Sequence, residues 1–177
     1  MMRLNARELR TSEPNPKALK SMEKNNIYII LDNVLDTYNI GSIFRLADAV
    51  AAKKVFLCGD TESPPNPRIK KASINTWKWV EWEYVPTAVE AISKLKDQIP
   101  KVKIIAVEQY DKSTPLSKFK PEFPIAVIVG NETYGVSKEV LEKVDQVVEL
   151  PMYGVNKSLN VMVTCAIVLY KIIENLE

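Results

Sequence analysis

The sequence predicts an α/β fold, a mainly parallel sheet flanked by helices on both faces. Three observations point there. Segments of strand length alternate with segments of helical spacing along the chain. The strand segments are apolar throughout and lack the polar side that a half-exposed strand keeps, so both faces of the sheet must be covered. No internal repeat and no linker divides the 177 residues, a length that suits one domain.

In chain order, residues 1–26 read as a short basic N-terminal arm. Arg3, Arg7, Arg10, Lys17, Lys20 and Lys24 outnumber Glu8, Glu13 and Glu23, and a short helix after Pro16 is expected. The arm is either solvated or RNA-contacting. The domain proper, 27–177, opens with a strand at Ile27–Leu31 that ends at Asp32 and Asn33. Ile40, Ile43, Phe44, Ala47 and Ala51 have helical spacing. Val55–Cys58 is a second strand, and the proline-rich 60–68 reads as a loop that neither a helix nor a strand could hold.

Val80–Val85 is a strand. Thr87 and Glu90 form a capping box that opens a helix to about Lys96. Strands at Val102–Val107 and Ile125–Val129 flank a loop with Pro115, Pro121 and Pro124. A helix over Ser137–Val144, a strand at Val147–Leu150 and a final helix over 158–176, capped by Ser158, complete the order. That last helix is apolar almost all round, and such a helix must be buried all round. At the end of a small chain, a second subunit is the natural cover.

Composition excludes several chemistries. The chain has no histidine, which removes Ser-His-Asp and Cys-His catalysis and histidine metal sites. Its two cysteines, Cys58 and Cys165, stand far apart in apolar runs and read as buried hydrophobes. No metal site is expected. A net charge of +2 does not by itself imply nucleic acid. Neither a secretory signal nor a membrane span is visible, and a reduced, cytoplasmic protein with no membrane partner is expected.

Three loops stand out, each just after a strand, where open α/β sheets bind ligands. In Asp32–Arg45, Arg45 lies opposite the apolar stripe and shares its side with the small residues Gly41, Ser42 and Ala49. It is either a solvated surface arginine or a planar fork for phosphate. In Gly130–Ser137, two glycines bracket polar residues, and Glu132 is a carboxylate beside an apolar strand end that needs a partner. In Leu150–Val161, polar side chains and free backbone groups gather before a very apolar helix. Neither a G-x-G-x-x-G fingerprint nor a P-loop is present.

These three loops, in this order, resemble the three motifs of the SPOUT class of methyltransferases, in its SpoU/TrmH-type branch of tRNA and rRNA ribose methyltransferases. The motifs stand here as Asn39-Ile40-Gly41-Ser42-Ile43-Phe44-Arg45-Leu46-Ala47, as Ile128-Val129-Gly130-Asn131-Glu132-Thr133-Tyr134-Gly135-Val136-Ser137 and as Leu150-Pro151-Met152-Tyr153-Gly154-Val155-Asn156-Lys157-Ser158-Leu159-Asn160-Val161. The resemblance covers roughly residues 27–176.

The resemblance implies a C-terminal deep trefoil knot that holds S-adenosylmethionine in a bent shape, with product S-adenosylhomocysteine and no metal. It implies cofactor contacts from Val107, Gly130, Leu150, Met152, Ser158 and Leu159. The catalytic arginine maps to Arg45, with Asn39, Glu132, Ser158 and Asn160 as the other functional positions. The implied reaction is methyl transfer to a ribose 2′-hydroxyl of tRNA (or rRNA) by a homodimer packed through the C-terminal helix. Because free arginine stays protonated, Arg45 is expected to position an RNA phosphate and stabilise the forming alkoxide.

The alternative is a catalytically silent RNA-binding protein that retains the fold. Two departures stand out. Many relatives have a glycine after the first-motif helix, where this chain has Ala51-Ala52-Lys53. Many also carry an added N-terminal RNA-recognition domain, so recognition here is expected to rest mostly on the catalytic domain. Arg68, Lys70, Lys71 and Lys78, interleaved with Trp77, Trp79 and Trp82, are a candidate RNA surface; the alternative is that the tryptophans belong to the core.

Overall fold

The computed structural model describes residues 4–176. Two short helices, α1 (Ala6–Thr11) and α2 (Pro16–Ser21), precede β1 (Asn25–Asp32). Asn5 caps α1 in a reciprocal box with Glu8. Beyond them the alternation read from the sequence is present: α3 (Thr37–Ala49), β2 (Ala52–Cys58), α4 (Pro67–Ser73), β3 (Trp82–Val85), α5 (Ala88–Gln98), β4 (Lys103–Val107), β5 (Thr114–Pro115), β6 (Ile125–Gly130), α6 (Lys138–Leu141), β7 (Gln146–Glu149) and α7 (Val161–Ile173). The strands form one seven-stranded sheet in the order β3-β2-β1-β6-β4-β7-β5, and every pairing is parallel.

The period of two along β1 divides the core. Ile27, Ile29 and Leu31 join Ile40, Ile43 and Phe44 of α3 and Cys165, Val168 and Leu169 of α7 in one apolar layer. Tyr28 and Ile30 face the other way, toward Ala88, Ala91, Ile92 and Leu95 of α5 and Val140 of α6. Both faces are covered, which is why the strands carry no polar side. Asp32 at the end of β1 lies level with Gly130 at the end of β6, so these two strands deliver their following loops to the same edge of the sheet.

Several boundaries differ from expectation. The proline-rich segment ends in a helix after all: Asn66 caps α4 through the Arg68 and Ile69 N–H groups, and Pro67 sits at the first helical position, where its missing N–H costs nothing. The last helix starts at Val161, and its cap is Asn160, which accepts from the Met162 and Val163 N–H groups. Ser158 is not the cap. The apolar surface of α7 is also not all covered: Val163, Ile167 and Tyr170 form an exposed stripe. After α3, Ala51 takes a left-handed conformation (φ 48°), one that costs a residue with a Cβ roughly 1–2 kcal/mol. Cys58 and Cys165 are buried, and burial pushes both thiols up to about 12.

Candidate active site

The loops after β1 and β6 are built around carboxylates. Asp32 is buried, and its Oδ2 accepts from the Ser137 N–H at 2.8 Å while Oδ1 accepts from Asn33 Nδ2. Glu132 reaches back across the sheet edge. Its carboxylate accepts from the Leu35 N–H (3.1 Å), the Asp36 N–H (3.0 Å) and Asn39 Nδ2 (2.9 Å). Partial burial pushes the Glu132 carboxyl up, but these hydrogen bonds outweigh it and hold it below the usual carboxylate range. The partner that the sequence demanded for Glu132 is therefore the first-motif loop.

The third loop joins the same cluster. Asn160 Nδ2 donates to Asn39 Oδ1 at 3.0 Å, while Asn160 Oδ1 caps α7. A carboxylate only accepts, so Glu132 fixes Asn39 with its amide nitrogen toward the carboxylate and its oxygen toward Asn160. One line of hydrogen bonds, Glu132–Asn39–Asn160, ties together three loops that are 121 residues apart from end to end in sequence.

Beside this line lies a cleft of about 440 Å³. Val107, Gly130, Leu150, Met152, Ser158 and Leu159, the residues expected at a cofactor, all line it, as do Glu132 and Asn160. The Ser158 hydroxyl makes no hydrogen bond among the described residues. Asn39 and Arg45 are not part of the lining. They stand six positions apart on α3, which places Arg45 about 9 Å along the axis and roughly 120° around it from Asn39. Arg45 is exposed and forms no ion pair among the described residues. The expected site residues thus fall into two groups: a cluster with its cleft, and an exposed arginine that is not part of the lining.

Sequence reading missed Glu108, Gln109 and Asn131. Glu108 Oε2 accepts from the Val136 N–H at 2.9 Å. A Cβ on Gly135 (φ 70°) would come within 2.0 Å of that same oxygen; the carboxylate tip could move aside, so it is the left-handed conformation that calls for glycine there. The signal was available: Glu108 follows an apolar strand, as Glu132 does.

A sequence profile of the SpoU rRNA Methylase family matches residues 26–170. The chain belongs to the SpoU rRNA methylase family. Among its relatives, a tRNA (guanosine(18)-2′-O)-methyltransferase of Aquifex aeolicus is 31% identical over 152 residues, which are 82% of this chain and 68% of that protein. An enzyme of the same name from Thermus thermophilus is 29% identical, over 82% of this chain and 73% of its own length. Staphylococcal relatives are longer, and the match spans 60–62% of their length. Among solved structures, the A. aeolicus TrmH/SpoU tRNA modifying enzyme superposes with a TM-score of 0.76 at 27% identity, over 94% of this chain and 79% of the other. An S-adenosylmethionine-bound rRNA methyltransferase of Sinorhizobium meliloti shares the fold, with a TM-score of 0.78 at 24% identity, over 96% of this chain and 60% of that one. The fold class, the family and the enzyme class expected from the three motifs agree with these matches.

In this SpoU family member the packing of the tryptophans favours the core alternative. Trp79 is 6% exposed, and Trp77 and Trp82 pack against the core. Trp82 meets Phe44 edge-on, with ring centroids 6.5 Å apart. Lys78 is held by Glu13 and lies over Trp77. Trp79 is thus a core residue, while Trp77 and Trp82 are partly buried at the edge of the core. Arg68, Lys70 and Lys71 remain exposed on α4, which packs so closely on α3 that a Cβ on Gly41 would meet Ala72 Cβ at 2.6 Å. No helix is long and apolar enough to cross a membrane, and no metal-binding cluster is found among the described residues.

Proposed function

We propose that this chain is an S-adenosylmethionine-dependent RNA methyltransferase that methylates a ribose 2′-hydroxyl of tRNA, in the cytoplasm, as a homodimer. The observation that carries the reading is the Glu132–Asn39–Asn160 line closing one side of a cleft lined by all six expected cofactor residues. The name shared by the Aquifex and Thermus relatives favours tRNA over rRNA.

The cleft suits a nucleoside cofactor. Val107, Val129, Leu150, Met152 and Leu159 give it apolar walls. From Met152 to Leu159 the chain makes no backbone-to-backbone hydrogen bond among the described residues, which leaves N–H and C=O groups free for a purine edge. When bound, S-adenosylmethionine supplies a methyl group on a sulfonium, open to in-line attack. Asn39, Glu132 and Asn160 spend their polar atoms on one another and on backbone, so they are positioning residues that hold the three loops in register. Ser158 and Arg45 keep free donors and are the groups that touch RNA. Arg45 holds a phosphate in its fork and stabilises the oxygen as it loses its proton. The C-terminal segment threads between the other two loops as a trefoil knot, which the Asn160–Asn39 contact supports.

Arg45 serves the cleft of the partner subunit. Its absence from the lining of its own cleft supports this, and the exposed Val163, Ile167 and Tyr170 on α7 provide the apolar face for the mate. α3 and α7 share one core layer, so pairing through α7 brings each Arg45 toward the other protomer. Tritiated S-adenosylmethionine with total tRNA or total rRNA, followed by alkaline hydrolysis, tests the activity. Label in alkali-resistant dinucleotides of tRNA is expected; label confined to bases, or none in RNA, would overturn it. Sedimentation of Ile167→Arg, expected to give monomers without activity, tests the dimer.

A further inference from the structure

We propose that Tyr134 is a positioning residue that stacks on the base of the nucleotide entering the site. The inference rests on the methyltransferase reading above. Tyr134 lines the cleft and is 88% exposed. Leaving an aromatic ring in water at a ligand cleft forfeits the burial that large rings usually gain, so an incoming partner is the natural cover.

The backbone beneath the ring is fixed on every side. Asn131 Oδ1 accepts from the Thr133 and Tyr134 N–H groups at 2.8 and 3.0 Å. Asn131 and Gly135 exchange two backbone hydrogen bonds, each 2.9 Å. Asn131 Nδ2 donates to the Asn33 carbonyl, Glu108 takes the Val136 N–H, and Glu132 anchors the turn to Asn39. Tyr153 is 94% exposed and follows the cleft-lining Met152 in sequence, but among the described residues no hydrogen bond is made from Tyr153 or its two neighbours on either side. Of the two tyrosines, Tyr134 is the one whose backbone is held in place before a substrate arrives, which limits the ordering cost of stacking.

The bases of RNA match this ring. Each has a π-face, and sequence-specific RNA sites splay bases onto aromatic side chains. None of the three tryptophans lines the cleft, so at the cleft itself the stacking falls to Tyr134. The chemistry of stacking is shared by the adenine of the cofactor, so the test separates the two.

Tyr134→Ala, Tyr134→Phe and Tyr134→Trp are compared for methyl transfer to total tRNA, for filter binding of the same tRNA and for calorimetric binding of S-adenosylmethionine. Loss of one base–aromatic stack corresponds to about 5- to 150-fold. Tyr134→Ala is expected to lose that much in kcat/KM and in tRNA binding. Cofactor affinity and dimer mass are expected to hold, and both aromatic variants to stay within about twofold of wild type.

Four results overturn the inference: Tyr134→Ala matching wild type, Tyr134→Phe failing like Tyr134→Ala, loss of cofactor affinity with RNA binding intact, or dissociation of the dimer. If wild type binds tRNA and transfers no methyl group, the methyltransferase reading falls, and the binding comparison still decides the role of Tyr134. If it neither binds nor methylates RNA, both fall.

Discussion

The turn over 130–136 and the stretch over 150–159 line the same cleft and are built in opposite ways. In the first, Asn131, Glu108, Asp32 and Glu132 hold backbone or side-chain partners on all sides. In the second, the described hydrogen bonds are Gln109 Nε2 on the Lys157 carbonyl and the Ser158 N–H on Asn156 Oδ1. The first segment has spent its polar groups on the protein and can only position. The second has kept them, and a buried ligand can use them. A binding site needs both: a rigid wall that fixes where things go, and a wall whose hydrogen bonds are still unmade.

The sharpest way to break this contrast is glycine substitution on each side. A Cβ at Gly130 would lie 2.2–2.3 Å from the backbone of Gly135 and Val136, while one at Gly154 meets nothing within 4 Å. Gly130→Ala should therefore cost at least about 3 kcal/mol, because backbone rather than a flexible side chain must move. Gly154→Ala should stay within about 0.5 kcal/mol. Denaturant titration checks both, and equal losses would show that the two walls are equally packed.

Asparagine and serine in the third motif give the next test. Asn160→Ala removes the α7 cap and the bond to Asn39, an expected loss of about 1–2 kcal/mol together with most activity. Ser158→Ala removes a hydroxyl without an internal partner, so the melting temperature should hold while kcat/KM falls. A serine variant that melts early would return Ser158 to a structural role.

The smallest effect concerns charge. Because the Glu132 carboxyl is held below its usual range, its stabilisation is complete above the unfolded value near 4.3. It is lost as pH falls through the lower folded value. The group is largely exposed, so Glu132→Gln should cost only about 1 kcal/mol at neutral pH, and wild type and variant should converge in stability below that window. A constant gap down to strongly acid pH would mean that packing, not the carboxylate, ties the two loops.

Much of the frame was legible because hydrophobic periodicity is local. The continuous apolar run at Ile125–Val129 could only be a doubly covered strand, and the β6 that it forms is buried at every residue. The need of Glu132 for a partner was legible from its place, although the identity of the partner was not. Misreadings occurred where competing local signals coexist. Prolines at 64, 65 and 67 masked the start of α4, since a proline that breaks a helix interior is tolerated at its first position. Ser158 and Asn160 are both good caps, and the choice fell on Asn160, whose amide also meets Asn39 across the fold. Trp77, Trp79 and Trp82 interleave with lysines in a pattern that suits RNA, but burial is a property of the packed layers, not of the sequence window.

The sequence alone determined the strand–helix alternation, the coverage of both sheet faces, the absence of histidine chemistry and the three polar loops at strand ends. These follow from side-chain period and residue chemistry, which act over a few residues. Tertiary structure decided that Glu132, Asn39 and Asn160 form one line, that Arg45 is left out of the cleft lining, and that the backbone of Tyr134 is pinned at the cleft. Those outcomes depend on which distant segments share an edge of the sheet, and hydrogen bonds between residues 93 and 121 positions apart exist only after the whole chain has packed.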